Sequence, residues 1–293
     1  MKNAPCCVAA AALLFASAGF ASRFAPPGVP AALFGVIRLL VGGILLAACL
    51  GPRAVATALS ALPRAPLCMA AVAMALFQWS YFAAVEAGGV AIATLVSAAA
   101  SPVFADAIDA FCTRTWPDRK RLAGACLVAL GVACLAHGNG ATGASLMLSL
   151  LAGAAYAGYA TAAAELEQDK AGGGIASTAI SLVFAGMILL PGARPGAAAI
   201  FSPQGLLVAA YLGIAATALA YALFATALRQ LAPARALAIL LLQPLAAVLL
   251  GVIFLDEPVS AALLEGVAAI SLALAVRAAP RFASTPQRSQ PCP

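Results

Sequence analysis

The stretch LLVAAYLGIAATALAYALFATAL, from Leu206 to Leu228, carries no charged side chain from end to end. Wound as an α-helix it is about 34 Å long, enough to cross the roughly 30 Å hydrocarbon core of a bilayer. Apolar windows of this kind, bounded by Pro, Gly and charge, recur along the chain. They predict spans near 7–25, 31–50, 66–85, 90–111 and 121–137, then near 143–164, 175–192, 206–228, 235–255 and 259–277.

Composition leads to the same solvent. Of 293 residues, 64% are hydrophobic and 9% charged, whereas a soluble domain carries roughly 25% charged residues. In lipid each backbone N–H and C=O must be satisfied within its own segment or a closed barrel, and the long unbroken runs select helices. The fold class is therefore an all-α integral membrane protein of ten transmembrane helices, with no length left for a soluble domain.

The formal charge of +6 does not point to nucleic acid, because Lys and Arg are scattered through short loops without a basic stripe. It encodes topology. With the N-terminus placed in the cytoplasm, thirteen of the sixteen Lys and Arg fall inside, Arg23 and Arg194 fall outside, and Arg38 lies within a span. Both termini are read as cytoplasmic, in a cell inner membrane. Lys2, the apolar stretch 8–15 and the small triplet 16–18 imitate a secretory signal. Cleavage would leave nine spans and destroy the symmetry described next, so this segment is read as the first span.

Pro102 precedes Gly124 by the same spacing at which Pro244 precedes Gly266. Tyr81 and Tyr221 stand at nearly matched distances upstream of those prolines. Two five-helix repeats follow, 1–140 and 141–280, with a cytoplasmic tail at 281–293. Five is odd, so the second repeat inserts upside down relative to the first, an inverted-repeat arrangement found in many secondary transporters.

At this point the residues resemble the EamA-type members of the drug/metabolite transporter superfamily. The match rests on QPLAAVLLGVIFLDEP, Gln243 to Pro258, followed by Gly266, with a weaker first-half copy in Ser101, Pro102, Val103, Phe104, Gly124 and Gly131. Arg38 stands where the second span of such proteins often carries an arginine. Counted from the prolines, Arg114, Thr115 and Trp116 occupy the places of Asp256, Glu257 and Pro258, so the first-half signature has decayed. The resemblance implies export or import of amino acids, sugars, nucleotide-related compounds or drugs through a cavity between the repeats.

Intramembrane polar groups are the pointers to a pathway, since an unpaired charge in hydrocarbon costs at least about 2.5 kcal/mol. Arg38, well inside its span, either pairs with a carboxylate or holds an anionic substrate group. Gln78, Trp79, Tyr81, Tyr156, Tyr159 and Gln243 are candidate substrate-binding residues, because bulky hydrogen-bonding side chains are poorly placed against lipid. Trp79 and Trp116 can equally be interfacial anchors. Ser97 and Ser101 join the candidates at helical spacing, although small-residue stripes mostly serve close packing. Pro102 and Pro244 are candidate hinges that free the carbonyls of residues 98 and 240. Asp106 and Asp109 share one face near a helix end and are read as a gate or coupling pair, within reach of the basic run Arg119, Lys120 and Arg121. Asp256 is expected to cap the last span, with Glu257 at its positive end and Pro258 in its first turn.

The eight cysteines include no CxxC pair and read as small buried hydrophobes. No metal or cofactor is expected: His137 is the single histidine, and no Gly-rich loop precedes Lys-Ser or Lys-Thr. Transport would then run on gradients, with a small-molecule substrate and the bilayer as partners, as a monomer or homodimer. Export of an amino acid or similar amphiphile suits a tyrosine-bearing, charge-poor cavity. The alternative is a membrane-embedded enzyme or accessory subunit acting on lipid-linked substrates, which would need carboxylates such as Glu86, Glu165 and Glu167 to converge.

Overall fold

The computed structural model describes residues 4–137, 141–167, 174–193, 197–228, 239–240 and 242–278, and all the regular structure among them is helical. In chain order the helices are α1 (Ala4–Ser22), α2 (Ala31–Leu50), α3 (Pro52–Ala61), α4 (Arg64–Gly88), α5 (Val90–Thr113), α6 (Arg119–His137), α7 (Gly143–Glu167) and α8 (Ile175–Leu189). They are followed by α9 (Pro203–Ala210), a π-helical run Tyr211–Leu219, α10 (Ala220–Leu228), α11 (Leu242–Phe254) and α12 (Ala261–Ala278).

Eight of the helices are long and apolar enough to cross a membrane, and α11 and α12 supply two shorter apolar ones. The predicted ninth span begins in residues outside those described. Between the second and third predicted spans, Pro52 at the first helical position starts α3, whose residues are largely exposed. The span at 206–228 begins earlier, at Pro203, with the Ser202 hydroxyl accepting from the Gly205 N–H.

Packing follows the two halves. α4 packs on α7 as α10 packs on α1, α5 on α7 as α11 on α1, and α4 on α8 as the π-helical run packs on α2. α2 with α8, α5 with α11 and α6 with α12 are pairs that map onto themselves when the halves are exchanged. The α6–α12 pair is drawn close by glycine: a Cβ on Gly266 would meet Leu135 at 2.6 Å, and one on Gly131 would meet Ile270 at 2.7 Å. Such small-residue contacts let helices associate where lipid offers no hydrophobic drive.

The outer surface is apolar, with Ile44, Leu130, Met147, Leu207, Leu249 and Leu264 all more than half exposed. Water would tolerate a patch of that extent poorly, and lipid accepts it. Cys6, Cys49, Cys68 and Cys126 lie on this surface, which corrects the expectation that the cysteines are buried. In a bilayer the apolar solvent is outside, so a small hydrophobe gains nothing by turning inward.

A buried arginine in a ring of aromatics

α2, α4, α7 and the α9–π–α10 span enclose the polar centre. Arg38, on α2, is 6% exposed. Its Nε donates to Thr217 Oγ1 at 2.9 Å and its Nη2 to the Ala216 carbonyl at 3.2 Å. Both acceptors lie in the π-helical run, where the Thr217 hydroxyl itself donates back along the chain to the Leu212 carbonyl at 2.8 Å. π-Turns often mark functional positions, since the widened turn re-aims side chains and carbonyls. α2 can come this close because Gly42 lies against Thr217 and Gly213 against Val41, each leaving no room for a Cβ.

Among the described residues no carboxylate pairs with Arg38; the recorded ion pairs all belong to Arg121. The guanidinium instead lies within electrostatic reach of Tyr81, Tyr156 and Tyr221. These tyrosines continue into an aromatic chain. Phe77 packs at a tilt against Tyr156 at 5.0 Å and Tyr81 at 5.8 Å, Tyr156 neighbours Tyr159 at 5.9 Å, and Phe15 packs edge-on against Tyr221 at 5.0 Å. The Tyr81 hydroxyl is held by Thr94 Oγ1 at 2.8 Å.

Gln78 stands one turn before Tyr81 and is 3% exposed. Its Nε2 reaches only the Met74 sulfur at 3.9 Å, and its Oε1 has no hydrogen-bond partner among the described residues. A buried acceptor without a protein partner costs about 1–3 kcal/mol unless water or a solute supplies the donor. The centre thus offers a cation, an open acceptor and an aromatic wall.

Several sequence candidates lie elsewhere. Trp79 is 41% exposed and faces outward, because the roughly 100° step of the helix turns it away from Gln78 and Tyr81. The Ser97 hydroxyl donates to its own helix at Ala93, 2.7 Å away, and the Ser101 N–H leans on Gly153 of α7, so this stripe packs α5 on α7. Gln243 lies in α11, the helix that also carries Pro244. Pro102 does not interrupt α5, which runs through it, and Pro244 lies in α11, with helical residues also described before it at 239–240. Asp106 and Asp109 both meet Arg121 Nη1, at 3.4 and 2.8 Å.

The acidic signature also behaves differently from expectation. Asp256 adopts a left-handed conformation (φ 52°) and does not cap α12; the Ser260 hydroxyl does so, accepting from the Leu263 N–H at 3.1 Å. Glu257 turns away to α5, where its carboxylate accepts from Val90 N–H at 2.6 Å and Ala91 N–H at 3.0 Å.

Beside this end of the bundle Ser22, Arg23, Val29, Phe34, Phe82 and Glu86 line a shallow vestibule. Phe34 and Phe82, 5.5 Å apart and both buried, form its inner wall, and Phe82 packs edge-on against Tyr81 at 5.3 Å. Thr217, Phe77, Phe34 and Phe82 are residues of this centre that sequence reasoning missed. Nothing distinguished them within apolar runs except a threonine at an otherwise aliphatic position.

The EamA-like transporter family matches residues 3–136 and, a second time, residues 143–277. An uncharacterized transporter of Bacillus subtilis (strain 168), YwfM, is 30% identical over 282 residues, covering 94% of each chain. A crystal structure at 18% identity superposes with a TM-score of 0.63 over 94% of this chain and 96% of that one, a likeness of fold. With one copy of the family unit on each half and a transporter as relative, this chain belongs to the EamA-like transporter family and is a multi-pass membrane transporter.

Proposed function

We propose that the protein is a secondary carrier of ten spans in two inverted five-helix repeats. It exports an amino acid or similar amphiphile across the inner membrane by alternating access, with both termini cytoplasmic. The observation that carries the substrate class is Arg38, a buried cation balanced among the described residues only by a hydroxyl and a carbonyl. A carboxylate entering from water gains a desolvated cation partner that the protein leaves unsatisfied. The open Gln78 acceptor calls for an N–H donor on the same solute, and the Phe77, Tyr81 and Tyr156 rings suit an apolar or cationic body. Exchange of packing between the halves supports the inverted repeat, since the cross-half contacts named above have their swapped counterparts.

The test is counterflow in proteoliposomes with radiolabelled amino acids, their decarboxylated amines, sugars and nucleosides. Uptake of amino acids but not of the matching amines supports the reading. Uptake of sugars or nucleosides without amino acids overturns it.

A further inference from the structure

The fourth spans of the two repeats end in like backbone turns that carry different side chains. The two non-glycine residues with positive φ among those described are Arg114 (φ 53°) and Asp256 (φ 52°). Counted from Pro102 and Pro244, they occupy equivalent places in the repeats. The backbone turn at the end of each fourth span has therefore been kept while its side chains diverged.

At the Asp256 turn, Glu257 crosses from the second repeat to the first helix turn of α5. Its carboxylate spans the Val90 and Ala91 N–H groups, where the helix dipole favours negative charge. Two glycines make its cradle. Gly89 (φ 86°) lies so close that a Cβ would stand 2.6 Å from the carboxylate, and Gly251 is packed against the other side, while the Glu257 N–H donates to the Gly251 carbonyl at 3.2 Å.

Every part of this clasp is missing from the equivalent sequence positions of the other half. Thr115 replaces Glu257, Asp109 replaces Gly251, Leu231 replaces Gly89, and Ala232-Pro233 replaces Val90-Ala91, so one donor N–H is lost with the proline. Thr115 bonds locally, to Thr113 at 2.6 Å, and Asp109 pairs with Arg121 inside the first repeat.

We infer that Glu257 is a one-sided latch between the repeats, which holds the Phe34–Phe82 end of the pathway shut and sets the resting state of the carrier. The clasp is engaged in a structure where Phe34 and Phe82 pack together at that end and Tyr81 and Arg38 behind them are buried. Rocking one repeat against the other must part cross-repeat contacts at the end that opens. Thr115 has no carboxylate to offer across the repeats, so release at that end meets less resistance. The latch rests on the alternating-access reading, but its test needs no substrate.

Single cysteines at Val85, buried beside the vestibule, and at Ala162, buried towards the other end of α7, report opening of each end in full-length protein in nanodiscs. The native cysteines are replaced, and labelling by a membrane-impermeant maleimide is timed. Adding Glu257→Gln is expected to speed labelling at position 85 about tenfold, as when a minor state rises from roughly 1% to 10%. Labelling at position 162 is expected to stay level or fall. Gly89→Ala displaces the carboxylate from the opposite side and should act alike, which covers the case where the Gln variant does not fold. Unchanged labelling at position 85 overturns the latch, and so does faster labelling at both ends, the signature of general loosening. Failure of amino-acid counterflow would leave these rates untouched, so the two readings fail separately.

Discussion

Arg38 and Thr217 come from opposite halves of the chain and meet at 2.9 Å, guanidinium Nε to hydroxyl Oγ1, in the interior of the bundle. Thr217 is an acceptor that makes this buried cation tolerable. Thr217→Val keeps the shape and removes the oxygen, leaving a charged donor unsatisfied at a cost of about 1–3 kcal/mol. A fall in thermal unfolding temperature together with lost counterflow is expected. Thr217→Ser should restore both, and a fully stable valine variant would show that the bond is incidental.

The charge itself is a separate matter. Arg38→Ala is expected to abolish counterflow of a carboxylate-bearing solute, and Arg38→Lys to keep a small part of it, because lysine supplies the charge without the planar fork that reaches both Thr217 and the Ala216 carbonyl. Full activity in the alanine variant would remove Arg38 from the pathway.

Gly42 is the contact that lets α2 approach the π-helical run. A methyl group there meets Thr217 directly. Gly42→Ala should therefore cost about 1–3 kcal/mol through overpacking and shift Arg38 away from its acceptors. Gly143→Ala, at a glycine with open space around it, is the matched control and should leave unfolding temperature and counterflow unchanged.

How much of this was legible beforehand follows from what each signal depends on. Span positions depend on local hydropathy, so eight of the predicted spans emerge as long apolar helices. Arg38, Gln78, Tyr81 and Tyr156 were legible because a polar or aromatic group inside an apolar run is itself the anomaly. Their grouping was not, since it depends on which faces meet across the bundle. Trp79 shows the limit: the same run of residues carries one side chain inward and its neighbour outward, and composition does not record the phase. Glu257 shows another, because its partners are backbone N–H groups in the other half of the chain, and backbone donors leave no mark in a sequence. The π-helical turn that presents Thr217 is invisible for the same reason.

Gln78 separates function from stability. Its Oε1 has no protein hydrogen-bond partner among the described residues, and an apolar replacement of similar shape removes the need for one. Gln78→Leu is expected to unfold at a higher temperature than the parent, by about 1 kcal/mol or more of stability, while counterflow falls at least tenfold for solutes bearing an N–H donor. Sites kept at a cost to folding are sites kept for a ligand. Trp79→Leu, one residue along on the lipid-facing side, should change neither quantity. If Gln78→Leu destabilised the protein without slowing transport, the glutamine would be a packing residue and the donor to its Oε1 would have to be sought within the fold.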